Sequence, residues 1–180
     1  LLERLNLNFE CVSPNVDEDS FKLKISDPIK LAETLAYEKA MAVFKERPES
    51  IVIGSDQLLH FAGENLGKAG TLDLAFKQLK RLSGNSHTLV TSWCVASSRE
   101  IHIETNKTIL TMRNLSDEGI KNYLSIDNPV DCAGSYKLEL KGISLFERIE
   151  TSDQTAIVGL PLLALGNYLN SLGIAVPGAV

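Results

Sequence analysis

The stretch from residue 27 to residue 53 most constrains what this chain can fold into. Asp27 and Pro28 offer a helix N-cap and a proline at the first helical position, and an apolar pattern of helical period continues to about residue 46. Residues 51–53 then form an Ile-Val-Ile run that is typical of a short buried strand. Helical and strand patterns continue to alternate along the chain, and residues 87–98 and 101–112 are predicted to form an antiparallel pair. This order predicts an α/β fold with a mixed β-sheet.

The remaining segments complete this outline. Residues 6–12 are predicted as a short strand, and the polar stretch 13–20 as a loop. The Gly-Ser step at 54–55 is predicted to end the strand that begins at residue 51, and residues 57–61 to form a second extended stretch. Further helices are predicted from about residue 71 to 83, from 116 to 126, and from 162 to 172.

Composition limits the possible partners. The 180 residues suit a single domain, and 18 basic against 23 acidic residues give a net charge of −5. A mildly acidic chain has no global attraction for nucleic acid or for an anionic membrane surface, so neither is predicted as a partner. The three cysteines and three histidines show no metal-ligand spacing, and no apolar run approaches the ~20 residues of a membrane span. These features predict a reduced protein of the cytoplasm.

Lys39 is the first residue that does not fit a purely structural pattern. At 100° per residue its side chain points along the apolar face of the predicted helix that contains Leu35 and Ala36. A lysine in such a place extends past its neighbours to solvent, forms a structural ion pair, or binds a fixed anion. The pattern alone leaves these alternatives open.

Three other residues carry charge at places that suit chemistry. Asp56 either lies in a turn at a strand end or presents a carboxylate where α/β proteins hold ligands. Glu18, in an Asp-Glu-Asp run, is either solvated or part of a carboxylate site for Mg²⁺ or Mn²⁺. Lys68, between glycines in the block GKAGT, is either an exposed loop residue or a phosphate contact, although this block is not the GxxxxGK[ST] loop.

Eight blocks along the chain together resemble the Maf family of nucleoside triphosphate pyrophosphatases. In order, they are FECVSPNVDE, LAETLAYEKA, IVIGSDQ, LGKAGT, AFKQLKRLSGNSHTLVT, LSDEGIKNYL, DCAGSYKLELKG and VGLPLLAL. Each block alone is weak evidence. Their common order over nearly the whole chain makes the resemblance specific, and residues 1–180 are therefore interpreted as a single Maf-like domain.

The resemblance implies an elongated mixed sheet flanked by helices, with two lobes around a cleft, similar to the inosine triphosphate pyrophosphatases. It implies a nucleoside triphosphate as substrate, cleaved between the α and β phosphates to give the monophosphate and pyrophosphate. Motif by motif, the general base falls on Asp56, the active-site acid on Glu18, and the phosphate-binding lysines on Lys39 and Lys68. It also implies Mg²⁺ or Mn²⁺, with Asp56 and Glu18 as the metal ligands.

The nucleotide preference is predicted from the blocks GSDQ, CAGSYKLE and LFERIE, which resemble the branch of the family that hydrolyses 7-methyl-GTP. The branch acting on dTTP and UTP usually has Thr in place of Gln57 and Gln in place of Glu139. A carboxylate at Glu139 favours the positive charge of N7-methylated guanine and accepts from guanine N1–H and the 2-amino group. Gln57 and Glu139 are therefore predicted to select the base. The alternative for Glu139 is an outward-facing residue on a surface strand.

Two departures and two rival functions accompany the resemblance. A phosphate loop of the Ser-x-Ser-Pro-Arg-Arg type is expected to precede residue 1 and to be missing from the numbered chain. Ala69 stands where the family usually has proline, which loosens the loop around Lys68 without removing a chemical group.

The rival functions are a dTTP/UTP pyrophosphatase and a non-catalytic regulator of cell division. A homodimer is compatible with all of these functions.

Overall fold

The structure is a computed structural model, and it describes residues 1–178 of the chain. The helices and strands of this range alternate in sequence, and their bounds are as follows. The α-helices are α1 (Glu18–Lys22), α2 (Pro28–Phe44), α3 (Leu72–Leu82), α4 (Asp117–Asp127) and α5 (Leu162–Ser171). The strands are β1 (Val52–Phe61), β2 (Glu64–Leu66), β3 (Ser86–Ala96), β4 (Ile101–Met112) and β5 (Phe146–Glu150). Short 3₁₀ helices span Leu2–Leu5, Lys141–Leu145 and Gln154–Val158.

The strands form one sheet in the order β2-β1-β3-β4-β5. β2 pairs antiparallel with β1, and β5 pairs antiparallel with β4. The predicted α/β class is confirmed, but the sheet is antiparallel rather than mixed. The reason is that α3 connects β2 to β3, and β1 lies between these two strands, so the helical connection does not place parallel strands side by side.

The contacts within the chain divide it into two compact units. The first unit contains Leu1–Gln57, Thr91–Asn106 and the described residues from Ser152 onward. Its main apolar cluster joins β3 to α5 and to the turn before that helix. The buried members are Trp93, Val95, Leu160, Leu162, Leu165 and Leu169.

A second cluster in the first unit holds α2 against the sheet. Ala36 and Ala40 of α2 pack on Cys94 and Ala96 of β3, and all four are fully buried. Gly54 of β1 allows the helix to come close, because a Cβ at this position would lie 2.5 Å from the carbonyl oxygen of Ala36. The small side chains therefore fix the distance between α2 and β1.

The second unit contains Leu58–Val90 and Lys107–Thr151. Its helices α3 and α4 are capped by Thr71 and Ser116, whose hydroxyl oxygens accept from backbone N–H groups in the first turn of each helix. The ring of His87 packs against Tyr136 and Phe146 in the interior of this unit. These contacts give the second unit a core of its own.

Most helix and strand predictions are confirmed to within a few residues, but three are wrong. Residues 7–12 belong to no strand. The predicted loop at 13–20 contains the start of α1, because Asp17 caps that helix by accepting from the N–H of Ser20. The third error, at Asp56, bears directly on the site. Within residues 1–178, no helix combines the length and the apolar character needed to cross a membrane.

Candidate active site

Asp56 lies in the middle of a strand, not at its end. β1 runs without a break from Val52 to Phe61, so the Gly-Ser step does not end it, and the predicted second stretch at 57–61 is part of the same strand. Both sequence interpretations of Asp56, the turn and the strand terminus, are therefore wrong about its position. The strand continues because Gly54 and Ser55 both have packing roles within the sheet. Asp56 is buried, with only 9% of its surface exposed.

Lys39 joins the two acids that the sequence singled out. Its Nζ lies 2.7 Å from Oδ1 of Asp56 and 2.9 Å from Oε1 of Glu18. The position on the apolar face of α2 is confirmed, since the buried residues of that helix include Leu35, Ala36 and Ala40. The close packing at Gly54 brings this face onto β1, and the lysine reaches the strand residue two positions later. Three predicted site residues thus lie together within the first unit.

Glu18 is the first residue of the short helix α1, and it contacts two lysines. Its Oε1 faces Lys39, and its Oε2 lies 3.2 Å from Nζ of Lys22 one turn later. Burial acts to raise the pKa of Glu18, but hydrogen bonds and charge from Lys39 and Lys22 lower it overall. Burial acts to lower the pKa of Lys39, and the two carboxylates raise it overall. Glu18 and Lys39 are therefore held in their charged forms.

The pKa of Asp56 is shifted in the opposite direction from that of Glu18. Burial raises its pKa above the ordinary value of 3.8, and the hydrogen bond and charge of Lys39 offset only part of this effect. Its second oxygen, Oδ2, is buried and has no hydrogen-bond partner among the described residues. A carboxylate with a raised pKa and an unused oxygen is a stronger proton acceptor than an exposed aspartate.

The donor set at this place fits a magnesium or manganese ion that is shared with a phosphorylated ligand. The described residues contain no group of three or more His, Cys, Asp or Glu side chains that could hold a metal. Mg²⁺, however, commonly uses only one or two carboxylates and completes its shell with waters and phosphate oxygens. The carboxylates of Asp56 and Glu18 provide such a pair.

A cavity of about 460 Å³ adjoins Lys39 within the first unit. Gly54 and Ser55 of β1 form one wall, and Phe9 and Arg47 contribute on other sides. Arg47 is itself engaged by Glu10, with Nη1 2.6 Å from Oε2. The cavity gives solvent-borne groups access to the lysine.

Gln57 faces away from Asp56, because successive side chains of a strand point to opposite sides. Its amide nitrogen lies within hydrogen-bond distance of Thr91 Oγ1 (2.8 Å) and of the carbonyl oxygens of Ala156 (2.7 Å) and Ile157 (3.1 Å). Ser55, on the same side, lies 2.7 Å from the carbonyl oxygen of Gly159. This side of β1 therefore anchors the segment around residues 156–159. A role for Gln57 in substrate choice stays a prediction.

Sequence reasoning did not find these anchoring roles. The alternation of side chains along residues 55–57 was the available signal, but placing a strand end at Ser55 hid it. Lys22, the second cation on Glu18, was also missed. Its spacing of four residues from Glu18 on a helix was the signal, and it was hidden because residues 13–20 were predicted as a loop.

Lys68 belongs to the second unit, where it is exposed at the start of a loop. Its backbone forms an isolated antiparallel bridge with Ala133, and the N–H of Gly70 donates to the carbonyl oxygen of Val130 at 2.8 Å. Ala69, between them, is buried. The loop that carries Lys68 is thus joined by backbone contacts to the segment around residues 130–133.

Glu139 also belongs to the second unit and is exposed. It lies in a turn in which the N–H of Leu140 donates to the carbonyl oxygen of Lys137 at 3.1 Å, just before the 3₁₀ helix Lys141–Leu145. The alternative interpretation as a residue of a surface strand is therefore wrong. The turn leaves the carboxylate accessible to a ligand, and its role in base selection stays a prediction.

Comparison with known proteins identifies the family of this chain. A model of the family described as Maf-like protein matches residues 1–172. The chain therefore belongs to the Maf-like protein family.

Three relatives carry a more specific name. The chain is 41% identical to a protein of Bdellovibrio bacteriovorus over 97% of its own length and 91% of the relative's. It is 41% identical to one of Aromatoleum aromaticum, over 98% and 91% of the two lengths. It is 42% identical to one of Colwellia psychrerythraea, over 98% and 88%. Each of these relatives is named 7-methyl-GTP pyrophosphatase.

Proposed function

We propose that this protein is a nucleoside triphosphate pyrophosphatase that hydrolyses 7-methyl-GTP to 7-methyl-GMP and pyrophosphate. The observation that carries the proposal is the buried Asp56, bonded to Lys39 and presenting an unused oxygen, in a chain whose relatives bear this name. Pyrophosphate release requires a proton acceptor for water next to a cation for phosphate oxygens. Asp56 supplies the proton acceptor and Lys39 supplies the cation, and one hydrogen bond joins the two side chains.

In the proposed reaction a water molecule attacks the α phosphorus in line with the bridging oxygen to the β phosphate. Oδ2 of Asp56 accepts a proton from this water as the new P–O bond forms. The bond to the bridging oxygen breaks, and its electron pair leaves with pyrophosphate. The raised pKa of Asp56 makes the carboxylate a better acceptor for the proton.

In this proposal Lys39 binds a phosphate oxygen of the substrate and keeps its contacts with Asp56 and Glu18. An ammonium group has three donors, and the contacts with Asp56 and Glu18 use two of them. The third donor remains for a phosphate oxygen, and such a charge-assisted hydrogen bond contributes about 1.5–3 kcal/mol. We propose Lys68 as a second phosphate contact, which its exposure in the loop at residues 67–70 permits.

Asp56 and Glu18 would hold Mg²⁺ or Mn²⁺, and a bound ion would supply Lewis-acid polarisation of phosphate oxygens. Glu139 would recognise the cationic 7-methylguanine ring through its negative charge, with Gln57 as a further determinant of substrate choice. The nucleotide is the proposed partner. The three free cysteines agree with a reducing compartment such as the cytoplasm. Assembly as a homodimer stays a prediction that sedimentation analysis tests.

The primary test compares pyrophosphate release from 7-methyl-GTP, GTP, dTTP and UTP by the purified full chain, in Mg²⁺ and in Mn²⁺. We expect 7-methyl-GTP to give the highest kcat/KM. Asp56→Asn should lower kcat by a factor of about 10²–10⁴ with the circular dichroism spectrum unchanged. Asp19→Asn makes the same chemical change at an exposed acid beside Glu18, so it serves as the matched control. Near-normal release by Asp56→Asn would exclude Asp56 as the base.

The same panel distinguishes the pyrimidine branch of the family, which would show highest kcat/KM for dTTP or UTP. Glu139→Gln should reduce the preference for 7-methyl-GTP over GTP, because the neutral amide no longer favours the cationic ring. Glu147→Gln removes one negative charge from another exposed position of the second unit and should leave the preference intact. An unchanged preference in Glu139→Gln would refute the charge argument.

A further inference from the structure

We propose that Gln78 is a positioning residue that holds in one arrangement two segments of the second unit, one carrying the proposed substrate contact Lys68 and the other preceding the proposed contact Glu139. The first segment is the lysine loop, residues 67–70, and the second is the turn segment, residues 130–135. The role in substrate binding rests on the proposed function, whereas the mechanical connection rests on the contacts alone. Gln78 lies on α3, belongs to neither segment, and is half-buried.

The side-chain amide of Gln78 bonds to both segments at once. Its Nε2 donates to the carbonyl oxygen of Gly67 at 2.9 Å. Its Oε1 accepts from the hydroxyl of Ser135 at 2.6 Å. An amide is suited to this task because it carries a donor and an acceptor on one planar group. A carboxylate could make only the second bond, and an apolar side chain neither.

Other contacts show that the two segments form a single structure. Lys68 and Ala133 make an isolated antiparallel bridge, and the N–H of Gly70 donates to the carbonyl oxygen of Val130. Gln78 adds the connection of both segments to a helix. Since α3 is a regular helix, it provides a fixed reference for the otherwise irregular loop and turn.

The backbone at Ser135 shows why the turn segment needs such a connection. Ser135 is fully buried and has a φ of 60°, a left-handed conformation that costs a non-glycine residue about 1–2 kcal/mol. Surrounding contacts must maintain that conformation, and the bond from its hydroxyl to Gln78 is one of them. Removing the amide therefore releases the turn at the position where its backbone is strained.

The consequence for catalysis is specific. Lys68 follows Gly67 directly, and Glu139 follows Ser135 by four residues, so both proposed substrate contacts depend on the segments that Gln78 holds. The proposed base, Asp56, belongs to the other unit. Loss of the Gln78 amide should weaken substrate binding and reduce the preference for 7-methyl-GTP over GTP, while leaving the chemical step nearly intact.

The test measures kcat and KM for 7-methyl-GTP and GTP with Gln78→Leu, Gln78→Glu and Ser135→Ala in the full chain. We expect Gln78→Leu to raise KM by about three- to tenfold, the equivalent of one or two hydrogen bonds, with kcat within about twofold. Gln78→Glu should keep the bond from Ser135 and lose the bond to Gly67, and so give a smaller rise. Lys77→Ala, an exposed change on the same helix, is the control and should leave KM unchanged.

Two further measurements separate positioning from a general loss of structure. Ser135→Ala combined with Gln78→Leu should have the same KM as Gln78→Leu alone, because the hydroxyl acts through the amide. Hydrogen–deuterium exchange, which needs no substrate, should become faster in both the lysine loop and the turn segment of Gln78→Leu. The rest of the second unit should exchange as in the parent chain.

Each outcome decides a different statement. Unchanged exchange in either segment of Gln78→Leu overturns the connection. Changed exchange with KM and the 7-methyl-GTP preference of the parent chain overturns the substrate role and leaves the proposed function standing. If the parent chain releases no pyrophosphate from any nucleotide, the proposed function and the substrate role both fail, and the exchange data still decide whether Gln78 connects the two segments.

Discussion

Replacing Lys39 with methionine is the change whose effect the structure specifies best. Methionine keeps the unbranched apolar stem and removes the charge that lies 2.7 Å from Asp56 and 2.9 Å from Glu18. The Asp56 side chain is only 8% exposed, so without the cation it becomes an uncompensated buried charge. Removing one partner of a buried pair typically costs about 3–5 kcal/mol. Because Lys39 is itself 20% exposed, we expect about 3 kcal/mol of unfolding free energy to be lost at pH 8.

Glu18 contributes little to this loss. Its side chain is 37% exposed and still contacts Lys22 when Lys39 is gone. Exposed pairs of this kind contribute only about 0–1 kcal/mol. The predicted loss therefore belongs mainly to Asp56.

The stability lost in Lys39→Met should depend on pH. Burial raises the pKa of Asp56 in the folded chain, so folding favours the protonated acid, and the associated stability is lost as pH rises through the folded pKa. Without Lys39 that pKa rises further, and the variant protonates Asp56 at a higher pH than the parent does. The difference in stability between parent and variant should therefore be largest at pH 8 and shrink toward pH 5.

Urea unfolding at pH 8 and pH 5 measures this difference as a shift in midpoint at unchanged m-value. Asp56→Asn supplies the matched control, because it removes the buried charge while keeping the shape. The double variant Lys39→Met with Asp56→Asn should recover most of the loss at pH 8. If the single and double variants lose the same stability, and the loss is equal at both pH values, Lys39 stabilises the fold through its stem alone and the reasoning is refuted.

Two other changes test the packing of each unit. Burial lowers the pKa of His87 from 6.5 to about 4, so the unfolded chain binds a proton between these values that the folded chain does not. His87→Phe should therefore remove about 2 kcal/mol of the stability that the parent loses between pH 7.5 and pH 5, measured by urea unfolding; an equal loss in both would contradict this. Gly54→Ala places a Cβ 2.5 Å from the Ala36 carbonyl oxygen and should cost about 1–3 kcal/mol, seen as a lower Tm. Gly67→Ala, with no atom near the added Cβ, should leave Tm unchanged, and equal Tm values for the two variants would contradict the prediction.

The helices were predictable because their signals are local. Asp27 and Pro28 mark the start of α2, and the apolar residues at helical spacing place Lys39 on its inner face. Of the alternatives that the pattern left open for this lysine, the structure shows an ion pair, with the carboxylates of Asp56 and Glu18. The helical pattern could not identify Asp56 as the partner of Lys39, because Asp56 is 17 residues away in the sequence and lies on a strand.

The strand that holds Asp56 was misread for a physical reason. Glycine followed by serine is common in turns, and local preference therefore favoured a strand end. In the folded chain, however, the glycine is required by the close approach of α2, and Ser55 is required by its bond to the carbonyl oxygen of Gly159. Both requirements come from residues distant in sequence. The role of Gln78 was hidden in the same way, since Gly67 and Ser135 are 11 and 57 residues away from it.

The charges around Asp56 explain why one lysine is not enough for the proposed substrate. Asp56, Glu18 and Asp19 carry three negative charges, and Lys39 and Lys22 supply two positive ones, so the group has a net charge of −1 before any ligand arrives. A triphosphate adds several negative charges, and the chain as a whole is already at −5. Binding therefore requires positive charge from outside this group, from Lys68, from a divalent ion, or from both. The proposed phosphate contact Lys68, which belongs to the second unit and not to this group, would supply part of that charge.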